Sequence, residues 1–188
     1  MNKFELITIG ASLGGLHALE TILTGLAKDF PVAIAIAQHR HRSSDGELAD
    51  FLQLQTLLPV VEAEDKQKII SGKIYLAPAD YHLLIEPGWF ALSTEAPVAY
   101  ARPSINVLFE SAADAYGDRV IGIILTGASE DGARGLAKIN AYGGLAIVQA
   151  PATAACRIMP EAAIAVVPTA KILPLLEIAP FIQLKIKN

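Results

Sequence analysis

The chain contains one cysteine, Cys156. An intramolecular disulfide is therefore excluded, as is any metal site built from clustered thiolates. No apolar run reaches the roughly 20 residues that a membrane-spanning helix requires. Lys and Arg nowhere form a dense stretch, and the net charge is −4 with a pI near 5.5. A polyphosphate backbone demands a positive footprint, so nucleic acid is not an expected partner. The opening residues, MNKFELITIG, lack the charged, apolar and small-residue zones of a signal peptide. These absences describe a cytoplasmic protein with no membrane insertion. No repeat, low-complexity tract or linker divides the sequence, so residues 1–188 are expected as one domain. With four histidines and no H-E-x-x-H, a zinc site from His39, His41 and a carboxylate lacks a supporting spacing, and no metal is expected.

What is abundant is apolar residues, 53% of the total, for a mean hydropathy of +0.42. They fall in short runs such as VAIAIA (32–37) and VIGIIL (120–125), bounded by Gly, Pro or His. Val- and Ile-rich runs of that length suit strands buried on both faces. Strands are expected at 4–10, 32–38, 58–62, 73–77, 120–126, 145–149 and 163–167. A first helix is expected from Gly15, with Leu16, Leu19, Ile22, Leu23 and Leu26 at spacings of three and four. A polar stretch from His41 to Asp45 leads to a second helix over 46–54. Ser104 has the chemistry of an N-cap for a helix reaching Tyr116, where Gly117 would end it. Further helices are expected at 132–142 and 169–177. Two apolar runs flank Pro87-Gly88 and read as a hairpin. The alternation predicts an α/β fold: a three-layer, doubly wound, mostly parallel sheet with helices on both faces and an added antiparallel β-hairpin.

In open parallel sheets, ligands bind beyond the C-terminal ends of the strands, near the point where strand order reverses. Ser12 follows the first strand, His39 ends the second, and Asp131 lies in the loop after 120–126. A hydroxyl, an imidazole and a carboxylate on one rim are the parts of an acyl-transfer triad, in which the base activates an otherwise weak nucleophile. The turn Gly10-Ala11-Ser12-Leu13-Gly14 matches G-x-S-x-G in a strand–turn–helix setting. The chain order Ser, His, Asp differs from the Ser, acid, His order of α/β-hydrolases, so that full fold is a poor match.

Plainer readings compete. His39 has the option of a satisfied structural histidine, and Asp131 that of a cap for the helix after it. A glycine-rich turn after a first strand commonly holds a nucleotide phosphate. Against that, Ser12 stands where G-x-G-x-x-G wants its second glycine, no Gly-Lys-Ser/Thr follows, and the second strand ends in Gln38-His39 rather than an acid. The coincidence of all three residues on one rim favours catalysis. Among the others, His17 falls inside the first helix, His41 and Arg42 read as solvated, turn chemistry accounts for Asp80 beside His82, and Cys156 reads as a free core thiol.

Five segments then carry a specific likeness: IGASLGG (9–15), QH (38–39), RPSINVLFESAA (102–113), LTGASEDGARGL (125–136) and MPEAA (159–163). Together they resemble the chemotaxis protein-glutamate methylesterase family, in that family's order and across nearly the whole chain. The resemblance implies a doubly wound sheet with a hairpin, a triad at Ser12, His39 and Asp131, and no metal or organic cofactor. It implies hydrolysis of γ-glutamyl methyl esters on cytoplasmic chemoreceptor helices, with deamidation of glutamines as a companion activity. The backbone N–H groups of Leu13 and Ala128 are the candidate oxyanion donors. Leu13 stands where the family often has Thr, and Ala128 where it often has Met. Well-known members also carry an N-terminal receiver domain, which residues 1–188 do not contain; either the enzyme stands alone or the sequence is a piece of a longer chain, and a stand-alone enzyme is expected to act without phosphorylation or with a receiver partner in trans. The alternative reading is a non-catalytic signalling or docking module with the same fold.

Overall fold

A computed structural model of the protein describes residues 3–44 and 46–187; of the polar stretch noted above, Asp45 lies outside them. Seven strands form one parallel sheet: β1 (Leu6–Ala11), β2 (Ala33–Gln38), β3 (Val60–Glu62), β4 (Ile74–Leu76), β7 (Val120–Ile124), β8 (Leu145–Gln149) and β9 (Lys171–Leu173). Between β4 and β7 the chain makes an antiparallel hairpin, β5 (His82–Glu86) and β6 (Trp89–Ser93), turning at Gly88 with φ 89°. Strand order in the sheet is β3-β4-β2-β1-β7-β8-β9. The chain winds outward from β1 on one side and then crosses to β7 on the other. The reversal therefore falls at β1, whose neighbours are β2 and β7.

The strands alternate in side-chain size as well as direction. Ile7, Ile9, Ile34, Ile36, Ile121 and Ile123 face one layer, made by α1 (Gly15–Thr24), α2 (Glu47–Gln53) and α6 (Leu175–Lys187). Ala33, Ala35 and Ala37 face the other, made by α3 (Ile105–Tyr116), α4 (Ala133–Ala141), α5 (Ile158–Val166) and the hairpin. The small face lets α3 lie close to the sheet. At Gly10 the approach is closest: a Cβ there would stand 2.3 Å from Ile105 Cγ2. The N-terminus of α3 is thereby delivered to the C-terminal rim of β1. The hairpin seals the far flank, with Phe90 on Tyr75 at a ring separation of 4.6 Å. Burial pushes the Tyr75 phenol pKa up, while its hydroxyl donates to Lys68 O and accepts from Ile70 N–H.

The expected strand at 163–167 is instead part of α5. Its buried residues, Met159, Pro160 and Ala163, recur at helical spacing, and Val166 points to solvent. Pro160 stands in the first turn, where the missing N–H costs nothing. The edge strand is β9, paired to β8 from Ile147↔Lys171 to Gln149↔Leu173. The terminal helix, expected over 169–177, runs Leu175–Lys187 and passes through Pro180. Burial of Ile178, Ala179, Ile182 and Ile186 against α1 outweighs the lost turn. Leu16, expected on the apolar face of α1, is exposed, and Gly15 and Ala18 are buried in its place.

Candidate active site

Parallel register brings Ser12 and His39 together. Ala11 pairs with Gln38 at the last rung, and the ladder continues by one bond on each side of β1. His39 N–H donates to Ala11 O (2.9 Å), and Ser12 N–H donates to Thr126 O beyond β7 (2.9 Å). The two residues thus leave the sheet side by side on adjacent strands, about 4.8 Å apart in strand spacing. The third expected residue reaches them from the loop after β7: Asp131 Oδ2 accepts from His39 Nε2 at 2.8 Å.

Asp131 is completely buried, and its neighbours explain how. Its Oδ1 accepts from Ser104 Oγ (2.8 Å) and Asn106 N–H (3.0 Å), and its Oδ2 from Ile105 N–H (2.6 Å) as well as from His39. Two of those donors are first-turn amides of α3. The carboxylate occupies the anion site that a helix N-terminus provides, so its negative charge is compensated without a cationic neighbour. Because an ionised carboxylate only accepts, the contact assigns the His39 proton to Nε2. Nδ1 has no partner among the described residues, and its lone pair is left for a proton from elsewhere. Ser12 Oγ is half-buried and makes no hydrogen bond among the described residues. A loose nucleophile–base pair is usual for a site without substrate.

The nucleophile turn is held from the opposite side by Thr126. Its Oγ1 lies 2.8 Å from Leu13 O and accepts from Cys156 N–H (2.8 Å), and its own N–H donates to Gln149 Oε1 (2.9 Å). Gly127 then passes so close that a Cβ on it would stand 2.8 Å from Ser12 Cβ. Neither Leu13 N–H nor Ala128 N–H donates to any described residue, so both candidate oxyanion donors are unspent. Gln38 lies below the pair, its Nε2 donating to Ser12 O (3.0 Å) and His39 O (2.9 Å).

Two open grooves meet at His39. One, about 490 Å³, has an apolar wall of Leu16, Leu48 and Phe51. The other, about 370 Å³, runs between Arg42, Tyr100, Arg102 and Pro103. Arg40 pairs with Glu62, and Arg102 pairs with Asp80 (2.6 Å) while donating to Thr94 O and Glu95 O. Asp80 occupies the left-handed region at φ 62°, as turn chemistry suggested. His17 is exposed on α1, and His41 is exposed with its Nδ1 on Ser43 Oγ. Cys156 is half-buried in the loop beside Thr126 rather than in the core.

Several supporting residues escaped the sequence reading. Ser104 was legible as a cap, and it does accept from Val107 N–H (3.5 Å), but its bond to Asp131 was not. Asp131 does not cap the helix that follows it; Asn106 does, its Oδ1 accepting from Gly132 and Gly135 N–H groups. Asp131 and Asn106 therefore cap each other's helices. His82 is buried with Nδ1 accepting from Ser104 N–H (3.2 Å) and Nε2 against Ala96 O (3.1 Å), a neutral tautomer that ties the hairpin to the same helix end.

Comparison with known proteins converges on one family. The family model "CheB methylesterase" matches residues 7–182. A Leptospira interrogans protein bearing the name of a protein-glutamate methylesterase/protein-glutamine glutaminase is 46% identical over 188 residues, 99% of this chain and 97% of that protein. The protein-glutamate methylesterase FrzG of Myxococcus xanthus is 38% identical over 173 residues, 92% of this chain but 52% of that one, so the chain spans about half of that longer relative. Among solved structures, the CheB methylesterase catalytic domain of Thermotoga maritima superposes with a TM-score of 0.91 at 31% identity, covering 98% of both chains.

Proposed function

The chain belongs to the CheB methylesterase family and is an esterase; from that premise we propose that it demethylates γ-glutamyl methyl esters on chemoreceptor helices through Ser12, His39 and Asp131. The observation that carries the assignment of the triad is the contact of buried Asp131 with His39 Nε2 at 2.8 Å, beside Ser12 on the adjoining strand. Ser12 Oγ attacks the ester carbonyl and His39 Nδ1 takes its proton. The ring is used in the opposite sense from the usual serine-protease arrangement, where Nδ1 faces the acid. The oxyanion accepts from the unspent N–H groups of Leu13 and Ala128. Collapse of the tetrahedral adduct breaks the C–O bond to methoxide, which leaves as methanol with the proton from His39. Water then attacks the acyl-enzyme, giving its proton to Nδ1, and a second collapse returns Ser12 and frees the γ-carboxylate. Asp131 holds the Nε2–H tautomer throughout and offsets the transient imidazolium. With a glutamine side chain the same sequence expels ammonia, the second activity that the relatives' names carry.

The test is methanol release from methylated receptor cytoplasmic fragments by the wild-type chain and by Ser12→Ala. The substitution is expected to lower kcat by about 10³-fold or more, the usual cost of removing a triad member. Equal release by the two proteins would refute Ser12 as nucleophile. An activated aryl ester run alongside reports the acyl chemistry without receptor contacts, and a chain inert toward both substrates would be a docking module rather than a catalyst.

A further inference from the structure

Gln38 is the last residue of β2, one position before His39. Its two amide hydrogens are both spent on main-chain carbonyls, those of Ser12 and of His39. The Ser12 carbonyl has a second donor in Gly15 N–H, but the His39 carbonyl has no other donor among the described residues. The remaining atom of the amide, Oε1, is buried and has no hydrogen-bond partner among the described residues. An orphaned buried acceptor is destabilising. Room for it depends on Gly15, the first residue of α1, where a Cβ would stand 2.0 Å from Oε1 and 2.8 Å from Ala11 Cβ. A side chain serving stability alone would not leave that acceptor unpaired.

We propose that Gln38 is a positioning residue for the esterase reaction, an amide clamp that fixes the peptide groups of nucleophile and base relative to each other. The proposal rests on the triad reading above. The clamp acts where the ladder has ended. Ser12 and His39 each keep one backbone bond to the sheet through their N–H groups, and Gln38 holds their carbonyl sides. Releasing the His39 carbonyl frees its peptide plane to rotate and swings Nδ1 away from Ser12 Oγ, without touching substrate.

The experiment compares wild type, Ser12→Ala, Gln38→Met and Gln38→Glu. Met matches Gln in length but offers neither donor nor acceptor; Glu keeps the shape and turns an oxygen toward the two carbonyls. Methanol release gives kcat and KM, a fluorophosphonate probe gives the labelling rate of Ser12, and both are normalised to the folded fraction from circular dichroism. Gln38→Met is expected to lose roughly 10- to 100-fold in kcat and in labelling rate, the scale of an ångström's misplacement, with KM and Tm held. Gln38→Glu is expected to fall at least as far. Normal labelling in the folded fraction of both variants would overturn the proposal, as would a loss confined to KM, which would make Gln38 a substrate contact. If Ser12→Ala matches wild type, the triad reading fails and takes the clamp with it; if Ser12→Ala is inert while Gln38→Met is fully active, only the clamp fails.

Discussion

Replacing Asp131 by Asn probes the site at its most constrained point. The carboxylate accepts four hydrogen bonds, two at each oxygen. An amide offers one accepting oxygen and one donating nitrogen. Placed with its oxygen at Oδ1, Asn keeps Ser104 and Asn106 but turns an N–H toward the Ile105 amide, formerly 2.6 Å from oxygen. It also donates to His39 Nε2, forcing the proton to Nδ1, the nitrogen that must act as base. Placed the other way, it keeps His39 and Ile105, the Ser104 hydroxyl reverses to accept, and an N–H is turned toward the Asn106 amide. Either way the bond to one first-turn amide of α3 is lost, worth about 1.5–3 kcal/mol when the acceptor is charged, and with it goes the charge that offsets the imidazolium. The wrong tautomer costs about 10⁴ in kcat in the analogous protease substitution, or about 5.4 kcal/mol of barrier. Asp131→Asn is therefore expected to lower Tm measurably and kcat by up to about 10⁴-fold. Methanol release and thermal unfolding on the same preparation measure both. A folded variant that keeps a tenth or more of wild-type kcat would refute the reasoning, because neither the tautomer nor the charge that Asp131 supplies would then matter to the base.

Other expectations follow from close approaches and long-range bonds. Gly127→Ala places a methyl group 2.8 Å from Ser12 Cβ, and kcat should fall by about 10²-fold with secondary structure intact by circular dichroism. Thr126→Val keeps the shape but removes the hydroxyl that joins the Leu13 and Cys156 segments; unfolding in urea should show a loss of about 1–3 kcal/mol. Asn106→Ala uncaps α4 at Gly132 and Gly135 and should cost about 1–2 kcal/mol by the same measurement.

The doubly wound sheet and the three rim residues were legible because both depend on local pattern. Short Val/Ile runs bounded by turns name the strands, and strand ends name the rim. Ser12 and His39 each sit one residue past a strand, so reading the strands was enough to find them. Asp131 was found by the same rule with His39 as its partner, yet the other groups that hold it were missed. The donors it meets come from residues 104–106, some 25 positions earlier, and only the packing of α3 over Gly10 brings them there. The roles of Thr126, Gln149 and His82 were hidden for the same reason: each is a buried polar residue bonded to a distant backbone. The segment 163–167 was misread because an apolar run of that length fits a strand or a buried helix equally well, and the distinguishing exposure of Val166 is a tertiary fact.

The exchange of caps between α3 and α4 means that neither helix end can fray alone. Opening the first turn of α3 releases Asp131 and, through Asn106, the start of α4. The amides of Ile105, Asn106, Gly132 and Gly135 should then share one opening free energy in hydrogen exchange. Under heat, this joint couples the contact that orients His39 to one local unlatching event, and inactivation is expected no later than the collapse of the sheet.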